Sequence, residues 1–356
     1  MSGMTNDLAS SLRPISEPRV LDGVYSEDQH RRLLKVVREN GPWTLILAQH
    51  FKSPDEVIAT TSGSIPEGFT PTWDMFLSPV FRGYLGEGGV AHYPEIEDCY
   101  YNTKFLDAVR SYWGAKYAQP EGMLFNIQGP CASGGSPHID GTRFRGMDMH
   151  NTPVWLLNTM CKSGLFKRWQ AKKAQVIAWY YKGTIGGGFH YWPDGPRKDP
   201  KLLPAPMWGR AVVVENERMY HSAQANGPVS MRRPEGLAIN STMAPDPVNP
   251  GGWLIETDGK IIQRIPEREF RLLIHWGAQL YMDYQELKAA LDHTDDIGHE
   301  QAFDVFIKDL RARDEIFEMP SDPLHDTKFI QLLTRVYDLG KPHNIPADPV
   351  EETRAA

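Results

Sequence analysis

The sequence predicts a mainly β core, a sandwich or barrel, with helices packed on it from both ends. Three observations lead there. Between about residue 121 and residue 265 the apolar runs are short, rich in β-branched and aromatic residues, and separated by turn signals. On either side of that stretch, apolar residues recur at helical spacing. The composition of the 356 residues, 41% hydrophobic and 23% charged, is that of a globular chain able to bury one large core or two modest ones.

Taken in order, residues 1–20 read as a polar, flexible tail. "SEDQHRRLLKVVRENG" opens on a capping box, Ser26 with Gln29, lines up Leu33, Leu34, Val36 and Val37, and stops at Asn40-Gly41, which predicts a helix. Residues 53–95, rich in Pro and Gly, read as irregular, with a strand or short helix in "WDMFLSP". "TKFLDAVRSYWGAKYA" is a second amphipathic helix through Phe105, Leu106, Val109, Tyr112 and Trp113. "GMLFNIQG", "VWLLNTM", "QVIAWYYKG", "AVVVEN", "LAINSTM" and the hairpin "WLIETDGKIIQRI", turning at Asp258-Gly259, read as strands. Beyond Pro266, "EREFRLLIHWGAQLY", "YQELKAALDH", "EQAFDVFIKDLRARDE" and "TKFIQLLTRVYDLG" read as helices. The expected organisation is a tail over 1–20, a helical region over 21–118, a β core over 119–265, and a helical region with a tail over 266–356.

Composition also narrows function. No run of about 18 apolar residues appears and the N-terminus lacks a secretory pattern, so no membrane partner and a cytoplasmic location are expected. Cys99, Cys131 and Cys161, without CxxC spacing, speak against a disulfide framework or a cysteine zinc site. A net charge of −7 offers no general attraction to phosphate backbones, so a small molecule rather than nucleic acid is the expected partner. The amphipathic C-terminal helices suit a homodimer contact as well as they suit covering the sheet.

The stretch "GGSPHIDGTRFRG", residues 134–146, holds His138 and Asp140 two positions apart. At a strand end, residues i and i+2 face the same side, so an imidazole and a carboxylate can meet at one point. Alone, such a pair is an ordinary polar turn. A second copy stands in "HTDDIGHE" (His293, Asp295, His299, Glu300), between helical stretches, where a solvated connector is expected. The first copy differs in having His221 further on, 81 positions after Asp140, where a β-branched run enters a turn at Glu215-Asn216 and the histidine follows before the next strand. Two imidazoles and one carboxylate on one side of an ion make a facial site for ferrous iron. Arg232 and Arg233 follow eleven and twelve positions later.

His138-x-Asp140, then His221, then an arginine, in a β-rich region with the glycine turn "GTIGGGFHYWPDGP" between, resembles the iron(II)/2-oxoglutarate-dependent oxygenases. The spacing is most similar to the phytanoyl-CoA hydroxylase-like branch, and the likeness spans roughly residues 119–245. The resemblance implies a double-stranded β-helix (jelly-roll) core and Fe(II) held by His138, Asp140 and His221. It further implies 2-oxoglutarate paired through Arg232 or Arg233, O2 as co-reactant, and oxidation of an unactivated C–H bond in a small or medium-sized organic substrate. With Asp140 present, no ligand position is vacated for a halide, which favours hydroxylation over halogenation. "RRPEG" departs from the family's usual run from arginine into strand.

Arg143 and Arg145, just past the metal pair, are candidates for an acidic group on the substrate, with surface charge as the plain alternative. The basic run of Lys162, Lys167, Arg168, Lys172 and Lys173 has the same two readings. Among the aromatics Trp179, Tyr180, Tyr181, Phe189, Tyr191 and Trp192, core packing competes with substrate contact, and Tyr181 and Trp192 are the candidates for contact. Two alternatives remain open: a cupin-type metal enzyme using the three ligands without 2-oxoglutarate, and a non-catalytic binding protein on the same fold.

Overall fold

The computed structural model describes residues 12–61, 68–132, 136–337 and 342–350. Its centre is an antiparallel sheet in which β9 (Met207–Val214), β6 (Lys172–Tyr181), β14 (Arg271–Tyr281) and β5 (Tyr117–Gln128) lie side by side in that order. Beyond β5 the sheet continues through β3 (Val80–Glu87), β2 (Trp43–Leu45), β11 (Thr242–Pro245), β12 (Trp253–Thr257) and β13 (Lys260–Ile265). β4 (Val90–Ala91) pairs with β3, and β1 (Arg19–Asp22) closes the other edge on β9. A small second sheet orders β10 (His221–Ala223), β7 (Phe189–Tyr191) and β8 (Lys201–Leu203), and an isolated bridge from His138 to His221 extends it. From β5 onward the chain passes back and forth between the two sheets before β14 inserts between β5 and β6. That winding is a double-stranded β-helix core.

Strand periodicity divides the core into two sides. Val176, Ala178 and Tyr180 of β6 and Leu272, Ile274 and Trp276 of β14 pack outward against α1 (Glu27–Glu39) and α5 (Thr103–Trp113). Ile177, Trp179 and Tyr181 face the other way, meeting Phe189 and Leu203 of the small sheet. At the far end α6 (Val154–Ser163), α8 (His299–Ala312) and α9 (Thr327–Tyr337) form a further apolar cluster around Trp155, Phe166 and Phe306. The short helices α2 (Ile46–His50), α3 (Pro54–Thr61), α4 (Glu97–Tyr100) and α7 (Tyr284–Leu291) complete the shell.

Several expected elements form for the expected reasons. The Ser26 capping box closes in both directions, Gln29 N donating to Ser26 Oγ (3.2 Å) and Ser26 N to Gln29 Oε1 (3.0 Å). The hairpin turns at Asp258 and Gly259, both at positive φ. Three expectations are corrected. "VWLLNTM" is the start of α6 and not a strand; every residue from Trp155 to Ser163 is buried, so the helix shows no polar face. "RLLIHWGAQLY" is β14 and not a helix, because a strand covered on both faces loses its alternation. In "LAINSTM" only Thr242 and Met243 belong to β11.

The first-residue tail is also revised where the structure describes it. Leu12 is fully buried, Ile15 N donates to Glu215 Oε2 (2.7 Å), and β1 is paired; residues 1–11 lie outside the described residues. The main sheet draws β1, β2, β3 and β14 from outside the 119–265 span. Residues 342–350 cross the core as a strap: His343 O accepts from Trp192 Nε1 (3.1 Å), and Pro349 O accepts from Arg232 Nη2 (2.5 Å). Among the described residues no helix is long and apolar enough to cross a membrane.

Trp276 sits at the middle of β14, fully buried, with its indole N–H on Tyr100 O (2.7 Å). Trp276→Ala is expected to lower the unfolding free energy by about 3–5 kcal/mol, measured by urea denaturation.

Candidate metal centre and cavity

His138 and His221 face each other across an antiparallel bridge, His138 N donating to His221 O (3.0 Å) and His221 N to His138 O (2.9 Å). Asp140 N donates to Asn216 O (3.1 Å), which fixes the carboxylate beside the pair. The three side chains converge, each offering one ligand atom within 4.8 Å of the others, the one such group of His, Cys, Asp and Glu among the described residues. His221 Nε2 stands 3.4 Å and His138 Nε2 4.0 Å from Asp140 Oδ1. On the far side of each ring, Nδ1 meets a backbone carbonyl, Ser136 O at 2.9 Å and Met219 O at 3.1 Å. A carbonyl accepts only, so each Nδ1 carries the proton and each Nε2 presents its lone pair inward.

A fourth group, His275 on β14, escaped the sequence reading because its segment was taken for a helix. As a strand residue it falls on the inner face, and its Nε2 reaches Asp140 Oδ2 at 3.5 Å. Burial works to raise the Asp140 carboxyl, but His221 and His275 outweigh it and hold the group well below the usual carboxylate range. Burial and the neighbouring His221 push His138 down to about 4. The His138 imidazole is therefore held neutral beside an ionised Asp140 carboxylate, the forms in which both groups ligate a divalent ion.

The group opens on a cavity of about 710 Å³. Ile46, Leu47, Phe51, Phe76, Leu124 and Met149 form much of its apolar wall. A charged network lines another part: Lys173 Nζ bridges Glu121 (2.9 Å) and Glu217 (2.6 Å), while Arg143 pairs with Glu121 (2.6 Å) and Asp148 (3.2 Å). Burial pushes the Glu217 carboxyl up to about 7 despite Lys173. Glu121 is held down at about 2, its burial outweighed by Lys173 and Arg143.

Of the other expected site residues, Arg143 lines the cavity, whereas Arg145 turns away to pair with Asp295 (2.8 Å). Trp192 is fully buried among core residues, with its indole on the strap. Tyr181 is buried too, its hydroxyl donating to Ile185 O (3.2 Å), and it pairs across the ladder with Arg271. Arg232 spends two of its donors on the backbone, Nε on Gly227 O (3.0 Å) and Nη2 on Pro349 O (2.5 Å). Arg233 is exposed. "HTDDIGHE" does not converge, since His293 meets Asp296, Asp295 meets Arg145 and His299 meets Thr152. The basic run scatters likewise, Lys172 pairing with Glu286 and Arg168 lying over the Trp169 ring.

A further buried guanidinium belongs to Arg271, the first residue of β14, which shares a strand face with His275 four positions on. It is almost fully buried; Nε donates to Gly187 O (3.0 Å), and Nη2 is buried without a partner. The glycine turn makes this possible: at Gly187 (φ +84°) a Cβ would sit 2.6 Å from the Tyr181 ring. The available signal was an arginine opening an apolar run.

Neither a protein-family model nor a curated protein matches the sequence. Solved structures are distantly similar. An oxidoreductase of the 2OG-Fe(II) oxygenase family from Burkholderia pseudomallei is 10% identical over 78% of this chain and 91% of its own, with a TM-score of 0.39. A prolyl hydroxylase from Trichoplax adhaerens, in complex with a hypoxia inducible factor peptide, is 10% identical over 77% and 88%, at 0.36. HygX from Streptomyces hygroscopicus, with nickel and 2-oxoglutarate bound, is 8% identical over 74% and 83%, at 0.36. At such distances the core is assigned from its own strand order.

Two expectations follow from the geometry. His275→Leu removes a partner of the Asp140 carboxylate and should weaken Co(II) binding about 10- to 100-fold by calorimetry, with His221→Ala losing it. His50, pushed down to about 3 by burial and by Arg82, stays neutral in the folded state while the unfolded ring protonates near 6.5. Its contribution to stability is present above pH 6.5 and lost as the pH falls; Glu217 acts with the opposite sign. The stability difference between wild type and His50→Gln should therefore shift toward the variant as the metal-free protein is taken from about pH 7 to about pH 5.

Proposed function

We propose that the protein is a non-haem Fe(II)- and 2-oxoglutarate-dependent oxygenase that oxidises an unactivated C–H bond of a small or medium-sized organic molecule. The observation that carries this reading is the His138, Asp140, His221 group, with both Nδ1 protons tied to carbonyls and both Nε2 atoms turned to one point at the mouth of a double-stranded β-helix. Such a donor set occupies one face of a ferrous ion and leaves the other for ligands.

The buried, unpartnered Nη2 of Arg271 supports 2-oxoglutarate as the cosubstrate, because a lone buried donor on a guanidinium is costly unless an anion meets it. With Arg271 as the anchor, the interval from the distal histidine runs from position 221 to position 271, so the reading is of the class and not of the phytanoyl-CoA hydroxylase-like branch. When bound, the ion and cosubstrate would supply the oxidising power of O2. The chain's own part is to hold the ligands in one tautomer, to keep Asp140 ionised beside His275, and to exclude water with the apolar wall.

The test is an anaerobic titration of the metal-free protein with Fe(II) and then 2-oxoglutarate, following the weak visible charge-transfer band. The band is expected in the wild type and in Arg232→Gln, absent in His221→Ala, and shifted to at least about tenfold higher 2-oxoglutarate in Arg271→Gln. Iron binding without a band in the wild type would favour a cupin-type enzyme, and no iron binding would sink the metal reading.

A further inference from the structure

One cation in the cavity is left unmatched by its surroundings. Lys173 and Arg143 face carboxylates, as described above. Arg82, on β3, lines the same cavity, yet its partners are Asn126 Oδ1 on Nε (2.8 Å), the His50 ring on Nη1 (2.7 Å) and the Tyr84 side chain. Among the described residues no carboxylate lies within ion-pair distance of it, and Asp140, the nearest acid it feels, is turned to His221 and His275. An amide, an imidazole and a phenol thus hold the guanidinium in place, with no carboxylate among them to cancel its charge. Burial already lowers its pKa, the mark of a cation short of both water and a counter-ion.

Charge balance gives the same picture once the centre is loaded. A divalent ion, Asp140, a dianionic cosubstrate and Arg271 sum to zero, and Arg82 is the charge left over. We propose that Arg82 anchors a carboxylate of the substrate, so that the substrate is a monocarboxylic acid whose apolar body lies along Ile46, Leu47 and Phe51. This rests on the function proposed above, in placing the cosubstrate's carboxylates at the ion and at Arg271. A phosphate monoester would overfill the site by one charge, and a cationic substrate would meet like charge.

The test uses the protein loaded with Ni(II), a redox-inert substitute for Fe(II), and 2-oxoglutarate. Octanoate and its neutral counterpart octanamide are the probes, read by calorimetry and by the shift in Tm. Octanoate is expected to bind more tightly than octanamide. Arg82→Gln should weaken octanoate about 10- to 100-fold while 2-oxoglutarate still binds, which also shows that the variant is folded. Arg82→Lys should keep the preference for the acid, and Arg271→Gln should lose 2-oxoglutarate first. Equal binding of acid and amide by the wild type, or octanoate binding unchanged in Arg82→Gln, overturns the proposal. So does loss of 2-oxoglutarate in Arg82→Gln, which would assign that arginine to the cosubstrate. A wild type that binds no 2-oxoglutarate defeats the functional reading instead, and the acid-over-amide comparison is then read on the metal-free protein.

Discussion

The structure depends on the insertion of β14 between β5 and β6. Until residues 271–281 arrive, those two strands have no common neighbour, and the main sheet is two pieces. β14 hydrogen-bonds along nearly its whole length on both sides, and its outward residues, Leu272, Ile274 and Trp276, are the floor on which α1 and α5 rest. Its inward residues bring His275 to Asp140 and put Arg271 at the far end of the same face. One strand therefore completes the core and the site together, through contacts distant in sequence.

The chemistry was legible in the sequence where it is local. His138 and Asp140 lie two positions apart, and a two-residue strand period is enough to predict that they share a side. His221 was recognisable because it follows a β-branched run and the turn at Glu215-Asn216. What was not legible came from residues whose partners are far away. β14 and α6 are enclosed on all sides, so neither shows the alternation or the polar face by which strand and helix are told apart. Misreading β14 hid both His275 and Arg271. Arg232 drew attention by its distance from His221 alone, and only the structure reveals that two of its donors go to the carbonyls of Gly227 and Pro349.

Charge is sorted within the cavity. Where Lys173, Arg143, Glu121 and Glu217 meet, every group has a partner and the wall is electrostatically settled, at the cost of a Glu217 carboxyl held near neutrality. Around Asp140 the neighbours are imidazoles, which can donate or accept without adding a fixed charge. Arg271 and Arg82 are the exceptions, guanidiniums held by neutral groups alone. Buried charges kept without counter-ions cost stability, and such a cost is borne at sites that bind something.

The strap of residues 342–350 ties the small sheet to a segment distant from it in sequence. Two of its carbonyls cap the Trp192 indole and the Arg232 guanidinium, both of them buried. Losing those two carbonyls would leave two orphaned donors in the interior, so damage within the strap would be felt more than a hundred residues upstream, beside the strand that carries the distal metal-ligand candidate.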